Sequence, residues 1–184
     1  MSIGLKRTTV ILEEHEVEWE SMAMETISLL KSILGDIAID IQHVGSTSIQ
    51  DIVAKPIIDI AVGVREINQV LSKNDQLEES GVIYRKQDVA GQLLYVMGDF
   101  QKEIRTHHIH IVTYGSTAWN NYINFRDYLN YDKDMAREYS ELKKTLSKEY
   151  KNNRDRYTEG KHNLINKILG MASEWKNAKL LEEI

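Results

Sequence analysis

Residues 43–64 read HVGSTSIQDIVAKPIIDIAVGV, and the change of period within them sets the architecture. The residues just before, 37–44 (IAIDIQHV), alternate as a strand and put Ile37, Ile39, Ile41 and His43 on one face. Gly45 is free to take backbone angles closed to a residue with a Cβ, which suits a sharp exit from that strand. Ser46, Thr47 and Ser48 follow as a short helical turn, with Ser46 best placed to cap it. The free N–H groups of such a turn favour an anion. A loop closed by the only proline, Pro56, leads into a second strand, IIDIAVGV. There Ile58, Ile60, Val62 and Val64 share one face, and Ile57, Asp59, Ala61 and Gly63 the other. Lys55 sits in the extended backbone that precedes a proline and offers a point charge to a phosphate. Asp59 is the only charge in the middle of its strand, and a carboxylate there needs solvent, a partner or a cation.

Working outward, residues 7–13 (RTTVILE) read as a short strand rich in β-branched residues. Residues 17–34 read as a helix with Trp19, Met22, Ile27 and Leu30 along one side and Gly35 as its stop. Residues 65–79 suggest a short helix and a solvated loop. Residues 82–88 and 92–97 form a hairpin through Gly91, and residues 103–113 form another strand. Three helices finish the chain. Their apolar stripes are Ala118, Tyr122, Phe125 and Leu129; then Met135, Tyr139, Leu142, Leu146 and Tyr150; then Leu164, Ile165, Ile168, Leu169, Ala172 and Trp175. The charge run ELKKTLSKEYKNNRDR (141–156) reads as a solvated helix face and its C-terminal end. The expected architecture is one α+β domain over residues 1–184: a mixed sheet, an early helix and a C-terminal helical layer.

Bulk properties narrow the class. The 184 residues are 42% hydrophobic and 28% charged, ordinary for a globular chain. The net charge of −5 argues against a nucleic-acid surface. There is no cysteine, so no disulfide or thiolate chemistry. No apolar run approaches the roughly 20 residues of a membrane span, and MSIGLKRTTVILEEHEVEW carries acids where a signal peptide is apolar. The expectation is a cytoplasmic protein.

Gly45-Ser46, then twelve residues, then Asp59 between Ile58 and Ile60 resembles the signature of the nucleotidyltransferase superfamily. HVGSTS followed by AKPIIDI is similar to the GrpB family (UPF0157-type small bacterial proteins) of that superfamily. VILEEHEVEWESMA, RTHHIHIVTYGSTAWNNYINFRDYL, YSELKKTL and YTEGKHNLI extend the resemblance over nearly the whole chain. It implies a polymerase-β-like mixed sheet, a nucleoside triphosphate as substrate and a divalent metal (Mg, Mn or Zn). Asp59 would be the catalytic carboxylate and metal ligand, and Gly45, Ser46, Thr47, Ser48 and Lys55 would face the phosphates. One position departs from the pattern. The second carboxylate expected two residues after Asp59 is Ala61, and one carboxylate alone holds Mg²⁺ weakly.

Other side chains complete the candidate set. In THHIHI, alternation puts Thr106, His108 and His110 on one face. Beside the Asp59 strand, His108 and His110 would join Asp59 in a mixed metal set that suits Zn²⁺, Mn²⁺ or Fe²⁺ better than Mg²⁺. Such histidines are also commonly satisfied, half-buried residues. Lys161 and Arg126 lie near apolar stripes, where a long cation either snorkels to solvent or points into a cleft. With Arg105 they are the further phosphate-binding candidates. Three readings stay open: a metal-dependent nucleotidyltransferase, a nucleotide- or phosphate-binding module without turnover, and an interaction protein with a vestigial cleft.

Overall fold

The computed structural model describes residues 3–6, 9–85 and 90–182. In chain order the elements are β1 (Leu5–Lys6), α1 (Glu18–Leu34), β2 (Ala38–Val44), β3 (Ile58–Val64), α2 (Asn74–Glu79), β4 (Ile83–Tyr84), β5 (Gln92–Met97), β6 (Ile104–Arg105), β7 (His107–Thr113), α3 (Thr117–Tyr131), α4 (Lys133–Glu149), α5 (Arg154–Gly160) and α6 (His162–Glu182). Short 3₁₀ turns occupy Gly35–Ile37, Ser46–Ser48 and Ile67–Lys73.

Five strands make one sheet in the order β2-β3-β7-β5-β4. The sheet is mixed: β3 and β7 run parallel, and the other neighbours antiparallel. β1 and β6 form a separate antiparallel pair. The pleat sorts β3 as its alternation predicts. Ile58, Ile60, Val62 and Val64 are fully buried on one face beside Ile109 and Ile111 of β7, and Trp19, Ala23, Ile27 and Leu30 of α1 pack with them in one core. Each such Ile or Val stabilises by roughly 1.5–3 kcal/mol on leaving water. The opposite face carries Asp59, Ala61 and Gly63. There α3 approaches so closely that a Cβ on Gly63 would meet the Trp119 ring at 2.9 Å.

The last four helices form the second layer. Ser116, Asp132 and Asn153 each cap a helix by accepting a backbone N–H, of Trp119, Met135 and Arg156 respectively. Tyr128 and Leu129 of α3, Met135 and Tyr139 of α4, and Ile168 and Ala172 of α6 pack together over Ile49 and Ile52.

Several expectations shift. Glu13 makes only an isolated bridge, with Ala54, and residues 9–12 are not strand; residues 7 and 8 lie outside the described set. A bulge between Ala38 and Asp40 breaks the expected alternation and leaves Ile39 45% exposed. Residues 86–89 of the expected hairpin are outside the described residues, and β4 and β5 pair as a hairpin would. The strand expected over 103–113 divides into β6 and β7. The expected last helix begins after a separate short one, α5, with Lys161 at the junction.

Candidate active site

Asp59 stands in register with His108 across the parallel β3–β7 pair. The pleat turns both side chains, and His110 two residues on, toward the helical layer. Nδ1 of His108 lies 3.2 Å from Oδ1 of Asp59, and Nε2 of His110 lies 3.6 Å from the same oxygen. Burial pushes the Asp59 carboxyl up, but the two facing imidazoles outweigh it and hold it well below the usual carboxylate range. An ionised carboxylate only accepts, so His108 donates from Nδ1. Burial lowers the pKa of His108 against the pull of Asp59. Its Nε2 is buried without a hydrogen-bond partner among the described residues. The other carboxylate oxygen packs under the turn: a Cβ on Gly45 would sit 2.6 Å from Oδ2.

Between this face and the helices lies a cavity of about 350 Å³, within the ~300–1,000 Å³ typical of small-molecule sites. Gly45, Ser46, Asp59 and His108 line its sheet side. Lys55, Lys143, Arg154 and Lys161 also line it, while Tyr122, Phe125, Ile165 and Leu169 give it an apolar part. The lysines rest on aromatic faces. Nζ of Lys161 is 4.5 Å and Nζ of Lys55 is 5.5 Å from the centroid of the Tyr157 ring. Lys143 is 1% exposed, donates to the carbonyl of Val53, and has its Nζ 4.5 Å from the Tyr139 ring centroid. Among the described residues no carboxylate pairs with any of these four cations within 4.0 Å.

That crowding shows in their protonation. Burial, and then the nearby Arg154 charge, bring Lys55 down to about 8. Burial and Lys55 bring Lys161 down to about 8. Burial pushes Lys143 well below the ordinary lysine range, with Lys161 and Lys55 adding to it. With Lys55, Arg154 and Lys161 charged, the positive charge exceeds what Asp59, the one carboxylate lining the cavity among the described residues, balances.

A divalent metal fits this donor set poorly. Among the described residues no group of three or more His, Cys, Asp or Glu side chains is placed to hold a metal ion. Oδ1 of Asp59 already accepts from His108, Oδ2 is packed against Gly45, and Ala61 brings no oxygen.

The structure gathers Gly45, Ser46, Lys55, Asp59, His108 and Lys161 around one cavity. His110 stands behind Asp59 with its ring 5.0 Å from that of Tyr122. Thr47 is buried and bonded to His43 Nε2 at 2.9 Å, and Ser48 Oγ donates to the Gly45 carbonyl. Ser46–Ser48 is one 3₁₀ turn with no side-chain cap, too short to build the dipole of a full helix. Arg126 lies outside the cavity. It donates to Gln42 Oε1 and to the His43 carbonyl and pairs with Asp127 at 2.7 Å, which ties α3 to β2. Arg105 lies in β6, opposite Leu5, and does not line the cavity either. Lys143, Arg154, Tyr139 and Tyr157 were not among the sequence candidates. Lys143 falls one turn after Tyr139, on the apolar stripe of α4, and that position was its one signal.

A mixed sheet with a Gly-Ser turn leading to a strand acid, backed by helices, defines a nucleotidyltransferase-like fold. The same fold occurs in the Cid1 poly(U) polymerase, whose MgGTP-bound structure matches with a TM-score of 0.51 and 16% identity over 73% of this chain and 44% of that one. The chain belongs to the GrpB family, whose model (GrpB protein) matches residues 9–170. The crystal structure of the conserved protein GrpB from Enterococcus faecalis superposes with a TM-score of 0.83 at 32% identity, covering 90% of this chain and 99% of that chain. The glutamate-rich protein GrpB of Alkalihalophilus pseudofirmus is 38% identical over 170 residues, 91% of this chain and 98% of that protein. The UPF0157 protein YqkA of Bacillus subtilis is 33% identical over 95% of this chain, which spans half of YqkA's length. Among the described residues no helix is long and apolar enough to cross a membrane.

Proposed function

We propose that the cavity binds a nucleotide or a related phosphorylated small molecule. The observation that carries this is the set of four basic side chains, Lys55, Lys143, Arg154 and Lys161, in a cavity lined by a single carboxylate among the described residues. Buried charge without a partner is unfavourable, and a phosphate-rich ligand supplies the missing anion. The apolar part beside Phe125, Ile165 and Leu169 suits the organic portion of such a ligand. The choice of a nucleotide rests on likeness of fold to Cid1, which has been solved with MgGTP. Transfer of the nucleotidyl group is a second reading. It is favoured by the Asp59–His108 pair, a carboxylate and an imidazole hydrogen-bonded to each other at the cavity wall.

Thermal shift with nucleoside triphosphates and simpler phosphate esters tests the binding. A ligand at about 100 times its Kd stabilises by ~2.7 kcal/mol. Each kcal/mol moves the Tm of a domain this size by roughly 2–4 °C, so a rise of several degrees is expected. Lys55→Met and Lys161→Met keep the apolar stem on Tyr157 and should fold while losing most of that rise. If no phosphorylated compound moves the wild-type Tm, the cavity is not a phosphate site. Pyrophosphate assayed in the same samples separates transfer from binding alone.

A further inference from the structure

We propose that the cavity takes its polyphosphate as the free anion, with the buried lysines and Arg154 standing where a divalent cation would otherwise neutralise the phosphates. This rests on the reading of the cavity as a phosphate site and adds how the charge is met.

Three observations converge. The first is the state of Asp59, the only carboxylate lining the cavity among the described residues. One of its oxygens accepts from His108 with His110 close by, and the other lies under Gly45. A Mg²⁺ ion wants near-octahedral oxygen coordination at short distances, and no second carboxylate is available at Ala61. The second is the supply of positive charge. Lys55 and Lys161 share the ring of Tyr157, Lys143 lies deeper against Tyr139, and Arg154 completes the group. A free triphosphate carries more negative charge than its metal complex, so these basic groups hold the free anion more strongly where water is scarce. The third is preorganisation. Lys143 is held by the Val53 carbonyl and the other two lysines by an aromatic face, so the cradle stands formed before the ligand arrives. Lysine serves phosphate as a point charge without demanding a fixed ligand geometry.

Isothermal titration of the full chain with ATP, GTP, CTP and UTP, in EDTA and then in excess Mg²⁺, Mn²⁺ or Zn²⁺, tests the proposal. Binding in EDTA is expected for at least one of them, with Kd equal to or severalfold below that in Mg²⁺. Lys161→Met should raise the EDTA Kd about tenfold or more. Asp59→Asn removes a repelling charge at constant shape, so it should tighten binding in EDTA, whereas a metal-held ligand would be lost. Binding that appears only with a divalent ion overturns the free-anion cradle and leaves the phosphate site standing. Absence of binding under every condition overturns both. The comparison of EDTA with metal uses the wild-type chain alone, so it decides even where a variant fails to fold.

Discussion

Gly45 holds its backbone at φ 72° and ψ −169°, a region essentially closed to residues with a side chain, and a Cβ there would lie 2.6 Å from Oδ2 of Asp59. Both facts bear on a single methyl group. Gly45→Ala forces a backbone conformation that costs about 1–3 kcal/mol, and its Cβ must displace Oδ2 of Asp59. Urea unfolding should show that loss as a lower midpoint at unchanged slope. An unchanged midpoint would mean that the turn relaxes freely and does not fix Asp59. At this scale the sequence was most legible where a residue broke the local pattern. Asp59 stood out as a charge in an apolar strand, and Gly45 as the exit of a strand. Lys143 was hidden because it sits in a run of charges, where a lysine is ordinarily solvated. Only its place one turn after Tyr139 marked it. Arg154 carried no sequence signal, since its position depends on how α5 docks against α4 and α6.

Strand β7 shows what alternation does to three histidines. His108 and His110 share the face that carries Asp59, with His108 lining the cavity, while His107 points to the other face, 9% exposed and 3.2 Å from Thr26 of α1. Burial, with a contribution from His108, lowers His107 to about 4, against the pull of Asp59. His43 of β2 is lowered to about 4 as well, first by burial and then by neighbouring cations such as Arg126. Their folded pKa values lie below the unfolded value of about 6.5. Between pH 6.5 and 4 the unfolded chain therefore binds protons that the folded chain does not, and stability falls as pH falls through that window. The slope approaches about 1.4 kcal/mol per pH unit for each histidine. Urea midpoints measured from pH 7 to 4.5 should decline, and His107→Gln should remove part of that slope. A flat wild-type profile would show that these imidazoles charge as easily folded as unfolded. The strands were legible because burial on one face leaves a period of two. The bulge at Ala38/Asp40 was not, because an extra residue in a ladder is set by pairing with β3 rather than by composition. The break between α5 and α6 was likewise unmarked: Gly160 is part of α5, and the helical spacing resumes almost at once.

The chain as a whole is acidic, with a net charge of −5, yet its cavity gathers basic side chains from four separate places in the sequence. Lys55 comes from the loop before β3, Lys143 from α4, Arg154 from the start of α5 and Lys161 from its end. Only the packing of the helical layer on the sheet brings them together, and this sets the pH behaviour of the molecule. Lys55 and Lys161 lie at about 8 in the free protein, below the ordinary 10.5. Their burial, with the crowding of like charges, is thus a full penalty on the folded state below pH 8, and it is relieved as pH rises toward 10.5. A bound polyphosphate reverses the sign. It favours the charged lysines and raises their pKa, so binding takes up protons near pH 8. Affinity should then be steady below about pH 7 and weaken above 8, approaching tenfold per pH unit for each lysine that must be reprotonated. The phosphate's own last ionisation, near pKa 6, is complete by then and adds no slope. Titrations at pH 7, 8 and 9 in two buffers of different ionisation enthalpy measure both the Kd and the protons taken up. Weaker binding at pH 9, with net uptake at pH 8 that Lys161→Met diminishes, is the expected result. Equal Kd at pH 7 and 9 with no uptake would remove Lys55 and Lys161 from the phosphate contacts, whatever the ligand proves to be.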